Sequence, residues 1–346
     1  MKRFIVLVTA LFLIGSFAFA ASKKLPQGPA FNSAVVAPAD EGKVKPVKKA
    51  SKKVRIAILC LDNHWFWLQV KQGALDAIKQ LKAYNCQADF IVPSGEKHTT
   101  DVFGDAIDAA IAQQYDAIAT VAGDSGIVNY IKRANEAGIP VATFNVETTT
   151  ANPRLFFVGA DLYKQGEAAA DAVAKVIGGK GKVAVVTGFF AVEGHEMRRK
   201  GFEDVIAKKY PDIKIVGRTE TQDKDELGFA QATDFMTANP DLAAIYSTAG
   251  GSVGVARAIE ESGKKGKVKM VCYDFGDEIM QYIEKGVIDG TIGQDPYAQG
   301  HDPAIRLFNY LVAGKVPPAG RLLTRSDFVT KTNLYDFWYG HKKPAK

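Results

Sequence analysis

From residue 54 almost to its end, the chain alternates short, wholly apolar segments with amphipathic ones, and this alternation restricts it to one fold class. VRIAILCL (54–61) reads as a continuous apolar strand, and in the next segment, 68–81, Leu68, Ala74, Leu75, Ile78 and Leu81 fall on one helical stripe. The pattern repeats with strands predicted at 88–93, 115–122, 139–146 and 155–160 and helices at 101–114 and 126–138. A second round has helices at 163–178, 194–210, 226–240, 253–263 and 277–286, interleaved with strands at 182–188, 213–220, 242–248, 268–274 and 289–296. A helix over 301–314 and a closing segment over 321–330 complete it. Apolar strands separated by helices build βαβ units, whose parallel sheet is covered on both faces. At 346 residues the chain holds about two domains by length. The expectation is therefore an α/β protein of two Rossmann-like parallel-sheet lobes. Open sheets of this kind bind ligands beyond the carboxyl ends of their strands, so two facing lobes enclose one shared site.

The N-terminus has a different character. Lys2 and Arg3 precede an apolar run from Phe4, and Ala18 and Ala20 occupy the −3 and −1 positions of an export cleavage site. Residues 1–20 therefore read as a signal peptide cleaved after Ala20, and the mature protein is expected in the periplasm. Residues 21–53 contain Pro26, Pro29, Pro38 and Pro46 without sustained periodicity and read as a disordered tether. The formal charge of +6 is concentrated in this lead-in: residues 1–55 hold 11 Lys and Arg against Asp40 and Glu41, leaving 33 basic and 36 acidic residues beyond. A basic footprint on a folded face is missing, so nucleic acid is not an expected partner. A repressor's helix-turn-helix would have to occupy this same lead-in. Cys60, Cys86 and Cys272 are an odd number for an exported chain, and the strand positions of the first two hold them too far apart to bridge; inert, mostly buried thiols are expected.

No motif calls for catalysis or a cofactor. GDSG (123–126) follows a strand and opens a helix, which makes Asp124 or Ser125 a helix cap rather than part of a nucleophile loop. GGKG (178–181) and GGSVG (250–254) lack the length and Lys-Ser/Thr of a phosphate loop. His64, His98, His195, His301 and His341 have no metal-ligand spacing. What stands out instead are polar and aromatic residues just past strand ends. Asp62 to Trp67 includes Asn63, Trp65, Phe66 and Trp67, although one of the two tryptophans is expected to wedge the first helix. Asn145, Thr248, Asp274 and Gln294 end other strands, and Arg198 lies in the helix after Gly188. Aromatic faces cover the C–H faces of a sugar ring, while amides, carboxylates and guanidinium satisfy its hydroxyls.

Residues 54–330 resemble the ribose- and galactose-type periplasmic sugar-binding proteins, the substrate-binding proteins of ABC importers, whose fold is shared with the ligand domain of LacI-like repressors. The segments that carry the resemblance are IAILCLDNHWF (56–66), ANEAGIPVATFN (134–145), Val158-Gly159 with Asp161 to Gly166, MRRKGF (197–202), ANPDLAAIY (238–246), GVARAI (254–259) and VCYDF through IEKGVIDGTIGQDP (271–296). The resemblance implies a type I periplasmic binding protein fold with a three-crossover hinge near 159–161, 294–296 and 322–325. An N-terminal lobe of 54–159 plus 295–323 and a C-terminal lobe of 160–294 plus 324–338 follow. It further implies Asp274 and Gln294 as direct sugar partners, Arg198 as the ligand arginine, and Asn63, Trp65 and Phe66 as a first-loop amide and stacking pair. Departures from the ribose pattern are Asn145-Val146 in place of a charged pair, Thr120 and Thr248 in place of asparagines, and Asp223 in place of an aromatic. With fewer charge-assisted bonds, ribose is disfavoured against another neutral sugar or polyol. The implied partner is an ABC importer permease, with a chemoreceptor or sensor-kinase ectodomain as the alternative and a carbohydrate-active enzyme a more distant one. A monomer without cofactor or metal is expected.

Overall fold

The computed structural model describes residues 35–95, 97–338 and 341, so the signal peptide and the first part of the expected tether lie outside the described residues. The first run of the chain forms β1 (Val36–Pro38), β2 (Val54–Leu59), α1 (Trp65–Lys82), β3 (Cys86–Ile91), α2 (Thr100–Ala112), β4 (Ala117–Thr120), α3 (Ile127–Glu136), β5 (Val141–Phe144) and β6 (Phe156–Gly159). It then builds α4 (Leu162–Ile177), β7 (Gly181–Thr187), α5 (Glu193–Lys209), β8 (Ile213–Glu220), α6 (Asp225–Ala238), β9 (Leu242–Ser247), α7 (Ser252–Glu261), β10 (Lys269–Tyr273), α8 (Asp277–Lys285) and β11 (Gly290–Ile292). Last come α9 (Pro296–Ala313), β12 (Arg321–Leu323), β13 (Phe328–Val329) and α10 (Leu334–Phe337).

Two sheets result. One has the order β1-β12-β6-β5-β4-β2-β3 and is parallel throughout; the other has the order β13-β11-β10-β9-β7-β8 and is parallel except for β13, which runs against β11. The chain passes between the sheets three times: after β6, between β11 and α9, and between β12 and β13. Strands β4, β5 and β6 are buried along their whole length, as sheets covered on both faces require. Helix ends obey local chemistry. The Asp161 carboxylate accepts the Lys164 amide at the start of α4, and Gly178, at φ 71°, closes that helix in the left-handed region.

Two expectations need correction. Helix α9 starts at Pro296, five residues before the predicted position: Asp295 caps it by accepting the Ala298 amide, and proline at the first helical position loses no hydrogen bond. The described part of the tether, 35–53, is not a free coil. β1 pairs in parallel with β12, Asp40 meets Arg306 at 2.6 Å, the Asn309 side chain bonds the Val47 amide and the Lys45 carbonyl, and Ala50 is buried. The segment is held by main-chain bonds and single polar side chains, which leave no hydrophobic period, and Pro38 is tolerated because β1 lies at the sheet edge.

Free thiols are found at Cys60, Cys86 and Cys272, all buried. Among the described residues no helix is long and apolar enough to cross a membrane.

Candidate functional site

The segments that follow β2, β3, β5, β7, β8, β9, β10 and β11 meet in one cleft between the lobes, with a volume near 200 Å³. Of the ten residues singled out from sequence, seven line it: Asn63, Phe66, Asn145, Arg198, Asp223, Asp274 and Gln294. The backbone is under tension here. Asn145, Gln222, Asp223 and Asp274 hold φ values of 67, 54, 57 and 72°, a region that Asn and Asp tolerate better than other side chains and that recurs at functional sites.

The C-terminal-lobe wall is a connected polar network. The Arg198 Nε and Nη2 donate to Gln165 Oε1 at 3.1 and 3.0 Å, Nη1 donates to the Thr248 carbonyl at 2.9 Å, and the guanidinium lies 3.8 Å from the Tyr273 ring centroid. Five N–H donors with three bound in this way leave two for the cleft. Close packing of α4 on α5 positions the arginine, since a Cβ on Gly166 would overlap the Arg198 carbonyl. The Gln294 Nε2 donates to Asp274 Oδ1 at 2.9 Å, which fixes the amide and leaves Gln294 Oε1 buried without a partner. The Gln299 side chain ties this wall to the first lobe: its Nε2 donates to the Gln294 carbonyl and its Oε1 accepts Asn145 Nδ2 at 3.1 Å. Burial raises the Asp274 carboxyl above its usual range, opposed chiefly by Arg198. Burial also pushes Asp223 up to about 6, although its Oδ1 accepts the Gly250 amide at 2.9 Å.

Three expected residues lie elsewhere. Thr120 is fully buried at the end of β4 and bonds the Val121 carbonyl. The Thr248 side chain pairs with Thr187 Oγ1, so it serves the cleft through the carbonyl that holds Arg198. Trp65 points into a neighbouring cavity, and Trp67 joins Phe66 in the cleft wall.

His98 and His195 are the residues that sequence reasoning passed over. They come from opposite lobes, are buried, and hold their Nε2 atoms 3.3 Å apart. The Phe189 amide donates to His195 Nδ1 at 3.0 Å, so the neutral ring carries its proton on Nε2 and donates it to His98 Nε2. His98 must then carry its proton on Nδ1, which has no partner. Burial drives the His98 pKa down to about 4 and that of His195 well below the usual range. His98, His195 and Asp223 place potential metal-ligating atoms within 4.8 Å of one another. The proton on His195 Nε2 nevertheless occupies the lone pair that a cation would need, and the pair is held as a hydrogen bond between the lobes.

Arg198 and Lys224 balance Asp223 and Asp274 around this cleft, and Phe66 and Trp67 supply the apolar faces. Such a two-lobed α/β solute binder with its site at the strand ends is a periplasmic binding protein. The chain belongs to that family: the model of the periplasmic binding protein domain matches residues 56–315. It is similar to the ABC transporter periplasmic-binding protein YphF of Escherichia coli K12, with 31% identity over 265 residues that cover 70% of this chain and 76% of the relative. GanP, a glucose-galactose binding protein from Geobacillus stearothermophilus, matches with a TM-score of 0.75 and 27% identity over 82% of this chain and 99% of its own. An ABC transporter solute-binding protein from Agrobacterium vitis bound with α-D-tagatopyranose gives a TM-score of 0.74 and 26% identity over 82% of this chain and 97% of its own.

Proposed function

We propose that the protein captures a neutral sugar or polyol in the interlobe cleft and presents it to the permease of an ABC importer. One observation carries the choice of ligand: a buried donor, His98 Nδ1, and a buried acceptor, Gln294 Oε1, both unpartnered, belong to residues lining a cleft whose side-chain charges balance. A hydroxyl both donates and accepts, so one polyhydroxylated ring satisfies both groups. A phosphate or dicarboxylate would meet Asp223 and Asp274 and lose hydration without enough return. Asn63, Phe66, Asn145, Arg198, Asp223, Asp274 and Gln294 are the proposed ligand contacts, and the three crossovers are the proposed hinge. The relatives whose names specify glucose, galactose or tagatose support this class without choosing a member. Ribose is expected to rank below another sugar because Asn145-Val146 lacks a charged pair. The mature chain is proposed to begin at Ala21, which the mass of the exported protein tests. A thermal-shift screen of neutral sugars, polyols, sugar phosphates, amino acids and nucleosides tests the ligand class. The best hit is expected among the neutral sugars and polyols; a charged compound as best hit, with these silent to millimolar concentration, overturns the assignment.

A further inference from the structure

We propose that the cleft continues into a second subsite that takes the second ring of a neutral disaccharide or glycoside. The proposal rests on the reading of the cleft as a sugar site. A cavity near 340 Å³ adjoins the cleft, and the two share Asn63, His64, Ala249, Gly250 and Asp274 as walls. Asp274 lines both, so a ring held by it in the cleft lies beside the second space.

The outer wall is aromatic on one side. The half-buried Trp65 ring lines this cavity and packs on the backbone of Gly276 in the opposite lobe, where a Cβ would come within 3.3 Å of the indole Cδ2. Closure of the lobes therefore builds this wall, as it builds the cleft. The cavity's charged groups other than His64 are all acidic: Asp225, Asp277 and Glu278 line it with Asp274, beside Val253, Tyr273 and Ile279, and no Lys or Arg does. Asp277 Oδ1 accepts Trp338 Nε1 at 3.0 Å and Asp225 Oδ1 accepts the Gly254 amide at 3.2 Å, so both carboxylates are held in place. An ionised carboxylate only accepts hydrogen bonds, and sugar hydroxyls supply the donors. An aryl or alkyl group would strip these carboxylates of water without replacing it, and an anion would be repelled. A second neutral sugar ring, stacked on Trp65, meets both conditions.

The test is calorimetry on the mature full-length protein with D-galactose, D-glucose and D-xylose, each beside disaccharides that contain it: lactose, melibiose, cellobiose and xylobiose. At least one disaccharide is expected to bind about tenfold more tightly than its monosaccharide, the gain from one stacked ring and its hydroxyls. Trp65→Ala also removes a contact between the lobes, so the readout is the ratio of disaccharide to monosaccharide affinity, which is expected to fall from about tenfold to near one. Val253→Trp, which fills the cavity from α7, is expected to do the same by a separate route. The proposal is overturned if monosaccharides bind and no disaccharide binds more tightly, or if both variants weaken the two ligand sizes alike. Silence of all seven sugars while the thermal-shift screen finds another neutral sugar or polyol overturns the proposal alone; silence of the whole neutral set in that screen overturns the underlying reading with it.

Discussion

Glu193 ties the lobes together without lining the cleft, and its removal is expected to weaken ligand binding from a distance. Its carboxylate, in the first turn of α5, accepts Thr148 Oγ1 at 2.7 Å, the Thr149 amide at 2.6 Å and Thr149 Oγ1 at 2.8 Å, all from the other lobe. Its own amide donates to the Gly123 carbonyl at 2.9 Å, a bond that substitution of the side chain leaves intact. Buried hydrogen bonds to a charged group contribute roughly 1.5 to 3 kcal/mol each, but this carboxylate is partly exposed, so about 0.7 kcal/mol per bond and about 2 kcal/mol in all is a realistic loss. Opening about the proposed hinge would part these groups, so Glu193→Ala is expected to shift the equilibrium toward the open form by the same amount. The apparent Kd is then expected to rise by up to about 30-fold, with Glu193→Gln intermediate because it retains an acceptor oxygen. Calorimetric titration with the best neutral sugar gives the affinity, and small-angle scattering gives the radius of gyration of the unliganded protein, which should increase. An affinity within about twofold of the parent, together with an unchanged radius, would refute the latch.

Asp274→Ala is expected to weaken sugar binding by about 2 to 4 kcal/mol with little change in unliganded melting; a lowered melting temperature with unchanged affinity would mark the residue as purely structural. Asp223 holds a proton up to about pH 6 in the folded protein but releases it near 3.9 when unfolded, so its contribution to stability falls as pH rises between those values and leaves a penalty of roughly 3 kcal/mol above them. Asp223→Asn should therefore melt higher than the parent at pH 7.5 and alike at pH 4, and a pH-independent difference between the two proteins would contradict this; His98 titrates with the opposite sign in both. Deleting 35–52 removes β1 and the Asp40–Arg306 and Asn309 contacts, and is expected to lower melting by about 5 to 10 °C while affinity stays within about threefold. Melting within about 1 °C of the parent would return the segment to the status of a coil.

The apolar strands were legible because burial on both faces leaves a signal in every residue of β4, β5 and β6. β1 was not, since Val36 is exposed and the strand is held by backbone bonds that any sequence makes. The site was legible as far as topology alone determines it. Asn145, Asp274 and Gln294 follow strand ends and line the cleft, while His98 and His195 occupy the same kind of position after β3 and β7. Metal spacing was the criterion applied to them, whereas their proximity depends on how the lobes face each other, which no local pattern encodes. Trp65 and Trp67 illustrate a different limit. Consecutive helical residues point about 100° apart, so which aromatic enters the cleft depends on how packing rotates the helix about its axis. His64 caps α1 through its ring nitrogen, and the buried stripe of Val70, Gly73, Ala74, Ala77 and Leu81 sets the rotation that turns Phe66 and Trp67 inward and Trp65 to the neighbouring cavity.

A crystal structure of the mature protein grown with the best neutral sugar from the screen tests the central claim most directly. The account predicts one sugar between the lobes, with hydroxyls bonded to Asp274 Oδ2, Gln294 Oε1, His98 Nδ1 and the free N–H groups of Arg198, and with a ring face against Phe66 or Trp67. Sugar bound outside the interlobe cleft, or inside it with Gln294 Oε1 and His98 Nδ1 still unpartnered, would contradict it.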